Sequence, residues 1–194
     1  MEQEKLTREI IVEEAIGLLN DEGLDGVSLR KLADRVGVKA PTLYWYFNSK
    51  SALLAALMER IFGECLDSVP DCKDWQEWMR AFGKALWRTQ GTVRDFGRLV
   101  TTTDMDLTQL QRTTLLIRKR MRSLDLRESD GMEIQSTIQA LMTGWSAFAH
   151  APYAHALEKT LDIDKLAMRG LDVLIEGKAA ELALRSAKRK RRAD

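Results

Sequence analysis

The sequence predicts an all-α protein: a small three-helix head followed by a longer helical body. Apolar residues recur three and four positions apart through nearly the whole chain, and nowhere does an apolar/polar alternation of strand type appear. No internal repeat is visible. The third observation is local. Residues 27–50, VSLRKLADRVGVKAPTLYWYFNSK, read as two short helices joined by a tight turn.

The first of these helices opens at Ser28, an N-cap, with Val27 packing against Leu32 as a hydrophobic staple. Leu29, Leu32, Ala33 and Val36 follow at helical spacing. Gly37 supplies the left-handed conformation that a sharp turn needs. Pro41 suits the first turn of the next helix, where its missing N–H is not needed. Leu43 and Phe47 face the core one turn apart, so Thr42, Tyr44, Trp45 and Tyr46 cannot all be buried with them. This is a helix-turn-helix whose second helix is a recognition helix.

The surface chemistry fits a duplex. Hydroxyls and an indole N–H can donate to phosphate oxygens, and aromatic rings can contact a thymine methyl. From Arg35 to Met58 there is no Asp or Glu, while Arg35, Lys39 and Lys50 add positive charge, the local sign that phosphate requires. The distribution carries this signal, not the total. The net charge is only +1, and acids such as Glu9, Glu13, Glu14, Asp21, Glu22 and Asp25 gather in the first helix and its exit.

The stretch from Leu6 to Leu57 resembles the DNA-binding domain of the tetracycline-repressor (TetR-type) family of transcriptional regulators. The resemblance rests on GLDGVSLRKLADRVGVKAPTLYWYFNSKSALLAAL, and most specifically on PTLYWYF at 41–47 followed by Lys50. It covers about the first sixty residues. It implies DNA contacts at Arg30, Ala40, Pro41, Thr42, Tyr44, Trp45, Tyr46 and Lys50. Lys39 and Ala40 fall where family members vary and would help set sequence preference. Arg30, at the start of the supporting helix, can reach a guanine edge bidentately. Lys50 opens the next helix, where its charge and the first backbone N–H groups can hold a phosphate.

The remaining elements follow in order. Thr7 caps a first helix whose apolar face is Ile11, Ala15, Leu18 and Leu19, ended by Gly23; its arm, with Lys5 and Arg8, can approach phosphate. Asn48 or Ser49 caps a fourth helix running to Leu66. Pro70 marks a break. Trp75, Trp78, Met79, Phe82 and Leu86 then form a stripe with Trp87 beside it, interrupted at Gly91 and Gly97, and Thr101 to Asp106 form a polar run. A helix from Leu107 to Leu124 carries arginines on its outer side. Met132 to Ala149 is the most apolar helix, with Ala140, Gly144 and Ala147 as a small-residue seam. Asp162 and Asp164 open a last helix containing Gly170 and Gly177. The domains expected are a head at 1–48, a body at 49–187, and a basic tail at 188–194, too charged to fold.

The 194 residues, 45% hydrophobic and 30% charged, fit an ordinary soluble chain, with no signal peptide and no apolar run of membrane-spanning length. The cytoplasm is the expected compartment, with no membrane contact. Two cysteines, Cys65 and Cys72, are too few for a disulfide framework and are expected as reduced spectators. Enzymatic motifs are missing: there is no phosphate-binding glycine loop and no serine elbow, and His150 and His155, with Pro152 between them, do not share a helix face as a zinc pair. No catalytic residue, cofactor or metal site is expected.

The body is therefore expected to dimerise through its last two helices, which carry apolar faces and small residues, and to bind a ligand. Trp75, Trp78, Met79, Phe82, Trp87, Phe96, Met105, Met121, Met142, Trp145 and Phe148, with Thr103 and His150 nearby, are a dense set of large adaptable groups. In the resembling family, small molecules bind the body and release the DNA. The founding member takes tetracycline with a divalent metal through a histidine in mid-body; this chain has no histidine before His150, and no metal site is carried over. The expectation is a homodimeric repressor on a palindromic operator in double-stranded DNA, released by an apolar or aromatic effector. The competing reading keeps the DNA-binding head but gives the body a protein partner.

Overall fold

A computed structural model of the chain describes residues 6–104, 107–157 and 160–193. Among them every regular element is helical: α1 Arg8–Glu22, α2 Leu29–Arg35, α3 Ala40–Tyr44, α4 Lys50–Asp67, α5 Trp75–Thr92, α6 Phe96–Thr102, α7 Leu107–Met121, α8 Glu128–Ala149, α9 Ala154–Leu157 and α10 Ile163–Ala193. A 3-10 turn, Arg122–Leu124, precedes α8. The chain forms two compact units, Met1–Glu64 with Thr89–Thr114, and Cys65–Arg88 with Leu115–Asp194. The three-helix head thus shares a unit with residues 49–64 and 89–114, beyond the 1–48 limit expected from sequence.

The first unit is built as its signals predict. The Thr7 hydroxyl accepts the Ile10 N–H at 3.3 Å, and Gly23 ends α1 at φ 77°, donating to the Leu19 carbonyl. The Ser28 hydroxyl accepts from Lys31 N–H, and Gly37 turns the chain at φ 71°. Ser49, not Asn48, caps α4, accepting from Ala52 N–H at 3.1 Å. Ile11, Ala15, Leu19, Leu32, Leu43 and Leu57 are all but completely buried, in one cluster that also holds Phe96 and Leu99 from α6. At about 25 cal/mol per Å² of apolar surface removed from water, such burial is the main term holding the short helices α2 and α3.

In the second unit α8 and α10 pack along each other, and Trp78, Phe82, Ile134, Ile138, Met142, Ala167, Leu171 and Ile175 are buried. Gly83 makes a close approach that sequence did not single out. A Cβ there would stand 2.6 Å from the Leu171 side chain.

Three expectations need correction. The helix after Pro70 is not interrupted at Gly91 or Gly97: α5 passes through Gly91, and Gly97 lies in the first turn of α6. The break falls at Val93–Asp95, where Asp95 takes a left-handed conformation (φ 57°), because Phe96 and Leu99 must reach the buried cluster. The threonine run is partly helical. The hydroxyls of Thr101 and Thr102 donate back to the Gly97 and Arg98 carbonyls at 3.0 and 2.7 Å, so their side chains satisfy themselves within α6. Finally, α10 continues through the basic segment to Ala193. Lys, Arg and Ala are strong helix formers, and positive charge suits a helix C-terminus, which outweighs the screened repulsion.

Candidate nucleic-acid interface and ligand-binding body

The short α3 presents its residues in two groups. Leu43 and Phe47 are buried, held by turns in which Tyr46 and Phe47 N–H groups donate to the Leu43 carbonyl at 3.0 and 2.9 Å. The Arg8 guanidinium lies 4.8 Å from the centre of the Phe47 ring, a cation–π contact that ties the start of α1 to the end of the turn. Outward stand Tyr44, 57% exposed, and Trp45, 89% exposed, the latter an extreme value for an indole. Arg30, Lys39, Pro41 and Lys50 are also exposed, and Thr42 is half-buried. Lys39 occupies the N-cap of α3, and no side chain caps the helix.

Two residues expected in the DNA-facing set are instead engaged within the head. The Tyr46 hydroxyl donates to the Leu6 carbonyl at 2.8 Å, and its ring packs against the core cluster. Ala40 is half-buried against the same cluster. Both follow from the shortness of α3: with Leu43 and Phe47 inside, neighbours on the same side are drawn in with them.

Charge around the helix-turn-helix is organised by pairing. Arg35, read from sequence as part of the positive face, is held by Asp21 at 2.6 Å and Glu14 at 2.9 Å, and these bonds raise its pKa above the usual arginine range. Lys31 pairs with Glu22. The acids of α1 therefore neutralise α2 from behind. Arg30 and Lys39 have no acidic partner among the described residues, and Lys50 feels only the charge of Asp25, with no ion pair to it.

Sequence reasoning missed a polar clamp between α6 and the α1–α2 turn. The Asp95 carboxylate accepts the Leu24 N–H at 2.9 Å; Arg94 donates to the Asp21 carbonyl at 2.7 Å and its own N–H to Asn20 at 3.0 Å. Arg98 holds Asp25 through two nitrogens, at 3.1 and 3.3 Å, and this hydrogen bonding keeps the Asp25 carboxyl below its ordinary pKa. These partners lie about seventy positions apart, and no local pattern marks them.

The candidate ligand residues do not form one group. Phe96 belongs to the first unit's core, and Thr103, also in that unit, closes α6, donating its N–H to the Leu99 carbonyl. In the second unit Trp78 and Phe82 stack, ring centres 5.4 Å apart and 5° from parallel, both fully buried. The Trp78 Nε1–H has no hydrogen-bond partner among the described residues. Trp87 donates its indole N–H to Asp164 at 2.9 Å. Trp145 meets Phe148 at 6.0 Å, with Phe148 half exposed, while Met142 is completely buried. Met121 lines a cleft of about 270 Å³ beside Leu126 and packs on Gly131. Met105 and Lys5 lie outside the described residues.

A buried-core helix-turn-helix with an exposed basic and aromatic second helix is followed by a helical body. Known proteins share this arrangement. Residues 11–57 match the profile described as bacterial regulatory proteins, tetR family. The tetracycline repressor protein class C of Escherichia coli is 39% identical over 97 residues, covering 49% of this chain and 44% of that protein. The chain thus matches less than half the length of such curated relatives. Among solved structures, a TetR variant from Acinetobacter baumannii AYE in complex with minocycline superposes with a TM-score of 0.71 at 27% identity, over 89% of this chain and 96% of that one. TetR(class A) in complex with 5a,6-anhydrotetracycline and magnesium does so at 0.69 and 27%, over 90% and 99%. Residues 11–57 thus match the tetR-family profile, and the chain shares the helical fold of solved TetR structures along most of its length. No helix among the described residues is long and apolar enough to cross a membrane.

Proposed function

We propose that the protein is a homodimeric repressor that binds a palindromic operator through α3 and its flanks and leaves it when the body takes up an apolar or aromatic small molecule. For the DNA half, Trp45 carries the reading: a tryptophan 89% exposed at the end of α3, on a head that also exposes Arg30, Lys39 and Lys50, offers the aromatic and cationic groups that a duplex can cover. The supporting element is the acid-free span from Arg35 to Met58. For the ligand half it is the Trp78 Nε1–H, a donor buried without a partner among the described residues. Such a group costs about 1–3 kcal/mol, and an acceptor on a bound molecule would satisfy it.

The dimer is supported by what α8 and α10 leave outside. Phe148, Val173 and Leu184 are at least half exposed, and a Cβ on Gly144 or Gly177 would meet nothing within 4 Å. A second copy can cover these positions, and two helices from each chain form a four-helix interface. Solved TetR structures complexed with minocycline and with 5a,6-anhydrotetracycline support an aromatic effector here too. Footprinting on DNA flanking the gene tests the proposal. A two-fold site with half-sites about 34–36 Å apart supports it, and full-affinity binding of a monomer to one half-site rejects it.

A further inference from the structure

We propose that the second unit carries a separate site for a small aromatic carboxylate, in the cleft between the start of α5, the loop before α8 and the last turns of α10. The cleft measures about 400 Å³, within the range of small-molecule sites. Trp75, Leu126 and Leu182 give it an apolar side. The polar side is arginine. Arg127 and Arg185 grip the Asp130 carboxylate from either side at 2.8 and 3.4 Å, and that side chain is only 8% exposed. Arg185 is further tied to Glu181. Arg127 spends only its Nε on Asp130, so its two terminal nitrogens remain as donors. Arg189 lines the same cleft with no acidic partner among the described residues.

A second observation points the same way. Arg127 is the N-cap of α8, a 22-residue helix, and its side chain cannot accept from the first-turn N–H groups. The first turn of that helix carries Glu128 and Asp130, which meet part of its demand for negative charge, and in the cleft three arginines, Arg127, Arg185 and Arg189, stand against two acids, Asp125 and Asp130. The neighbouring 270 Å³ cleft shares Asp125, Leu126 and Arg127 and adds Arg122, likewise without an acidic partner among the described residues. Asp125 holds the loop between them in a left-handed conformation (φ 50°), keeping Leu126 and Arg127 on the wall common to both. A planar acid can lay its ring on Trp75 and Leu126 and present its carboxylate to the free nitrogens of Arg127 and Arg189, the fork geometry that guanidinium favours.

This site is independent of the Trp78–Phe82 cluster invoked for the effector. The test is calorimetric titration of the full-length protein with benzoate, indole-3-acetate and 2-naphthoate, against neutral 2-naphthylmethanol. At least one acid should bind once per chain, about tenfold or more tighter than the alcohol. Arg189→Gln, at an exposed position, should weaken that acid about tenfold, and Phe82→Ala should leave it unchanged. No acid binding up to about 5 mM, a range that still detects affinities near −3 kcal/mol, overturns the proposal. So does equal affinity for the alcohol, or an acid lost with Phe82→Ala and retained with Arg189→Gln.

Discussion

Asp95 accepts the backbone N–H of Leu24 at 2.9 Å, and it does so from a left-handed conformation that only a few non-glycine residues tolerate. One residue thus sets the start of α6 and fastens the turn between α1 and α2, the turn that fixes where the helix-turn-helix begins. Asp95→Ala removes the acceptor and penalises the backbone. The expected loss is about 1–3 kcal/mol of stability, with faster exchange of the Leu24 amide. Asp95→Gly separates the causes, since glycine accepts the conformation and lacks only the carboxylate.

The Asp25–Arg98 pair gives a pH signature. Hydrogen bonding to Arg98 lowers the folded-state pKa of Asp25, so its contribution is present above the unfolded aspartate value and fades as pH falls through the lower folded one. The window lies below about pH 4. A carboxyl titration followed by NMR should place Asp25 below the ordinary range, and Arg98→Gln should move it back up. Both groups are solvent-exposed, so added salt should narrow the difference.

Glycines divide by what surrounds them. Gly83→Ala should destabilise by about 1–3 kcal/mol through overpacking on Leu171, and Leu171→Val should relieve part of that in a double-mutant cycle. Gly144→Ala has open space around it in the protomer, so it should be neutral or gain up to about 1 kcal/mol of helix propensity. Gly144→Leu should leave the protomer folded but weaken the dimer in sedimentation. An unaffected dimer would place the interface away from this part of α8.

Contact classes at the head can be told apart by salt. Lys50→Ala should weaken all duplexes alike and reduce the salt slope by about 1. Arg30→Ala should relax base preference at a cost of about 1–3 kcal/mol. Tyr46→Phe should instead lower head stability by about 1 kcal/mol through the lost bond to Leu6, with operator preference retained.

Caps, glycine turns and the Leu29–Leu32–Leu43–Phe47 core are local, so the head could be read from sequence almost residue by residue. The features that sequence did not reveal are those whose partners lie far apart in the chain. Asp95 with Leu24, Arg98 with Asp25, Arg185 with Asp130 and Gly83 against Leu171 depend on tertiary packing that no period encodes. The split of the aromatic set has the same origin. Phe96 follows a helix stripe in sequence and is nonetheless buried with the head's core. Shortness misled the reading of α3, where burying Leu43 and Phe47 draws Ala40 and Tyr46 inward. Composition misled at the C-terminus, where a run of basic residues was read as unfolded although each is a good helix former.

A repressor of this kind requires that body and head be thermodynamically linked. The decisive measurement is fluorescence anisotropy of a labelled operator duplex, titrated with protein at zero and saturating concentrations of a compound found by thermal shift to bind the body. A repressor relieved by that ligand should lose at least about tenfold in operator affinity, or 1.4 kcal/mol, and saturating operator should weaken the ligand by the same factor. Phe82→Ala should abolish the response while leaving ligand-free operator affinity near normal. Unchanged operator affinity at saturation, for every compound that binds the body, would contradict the claim and favour a body that serves a protein partner.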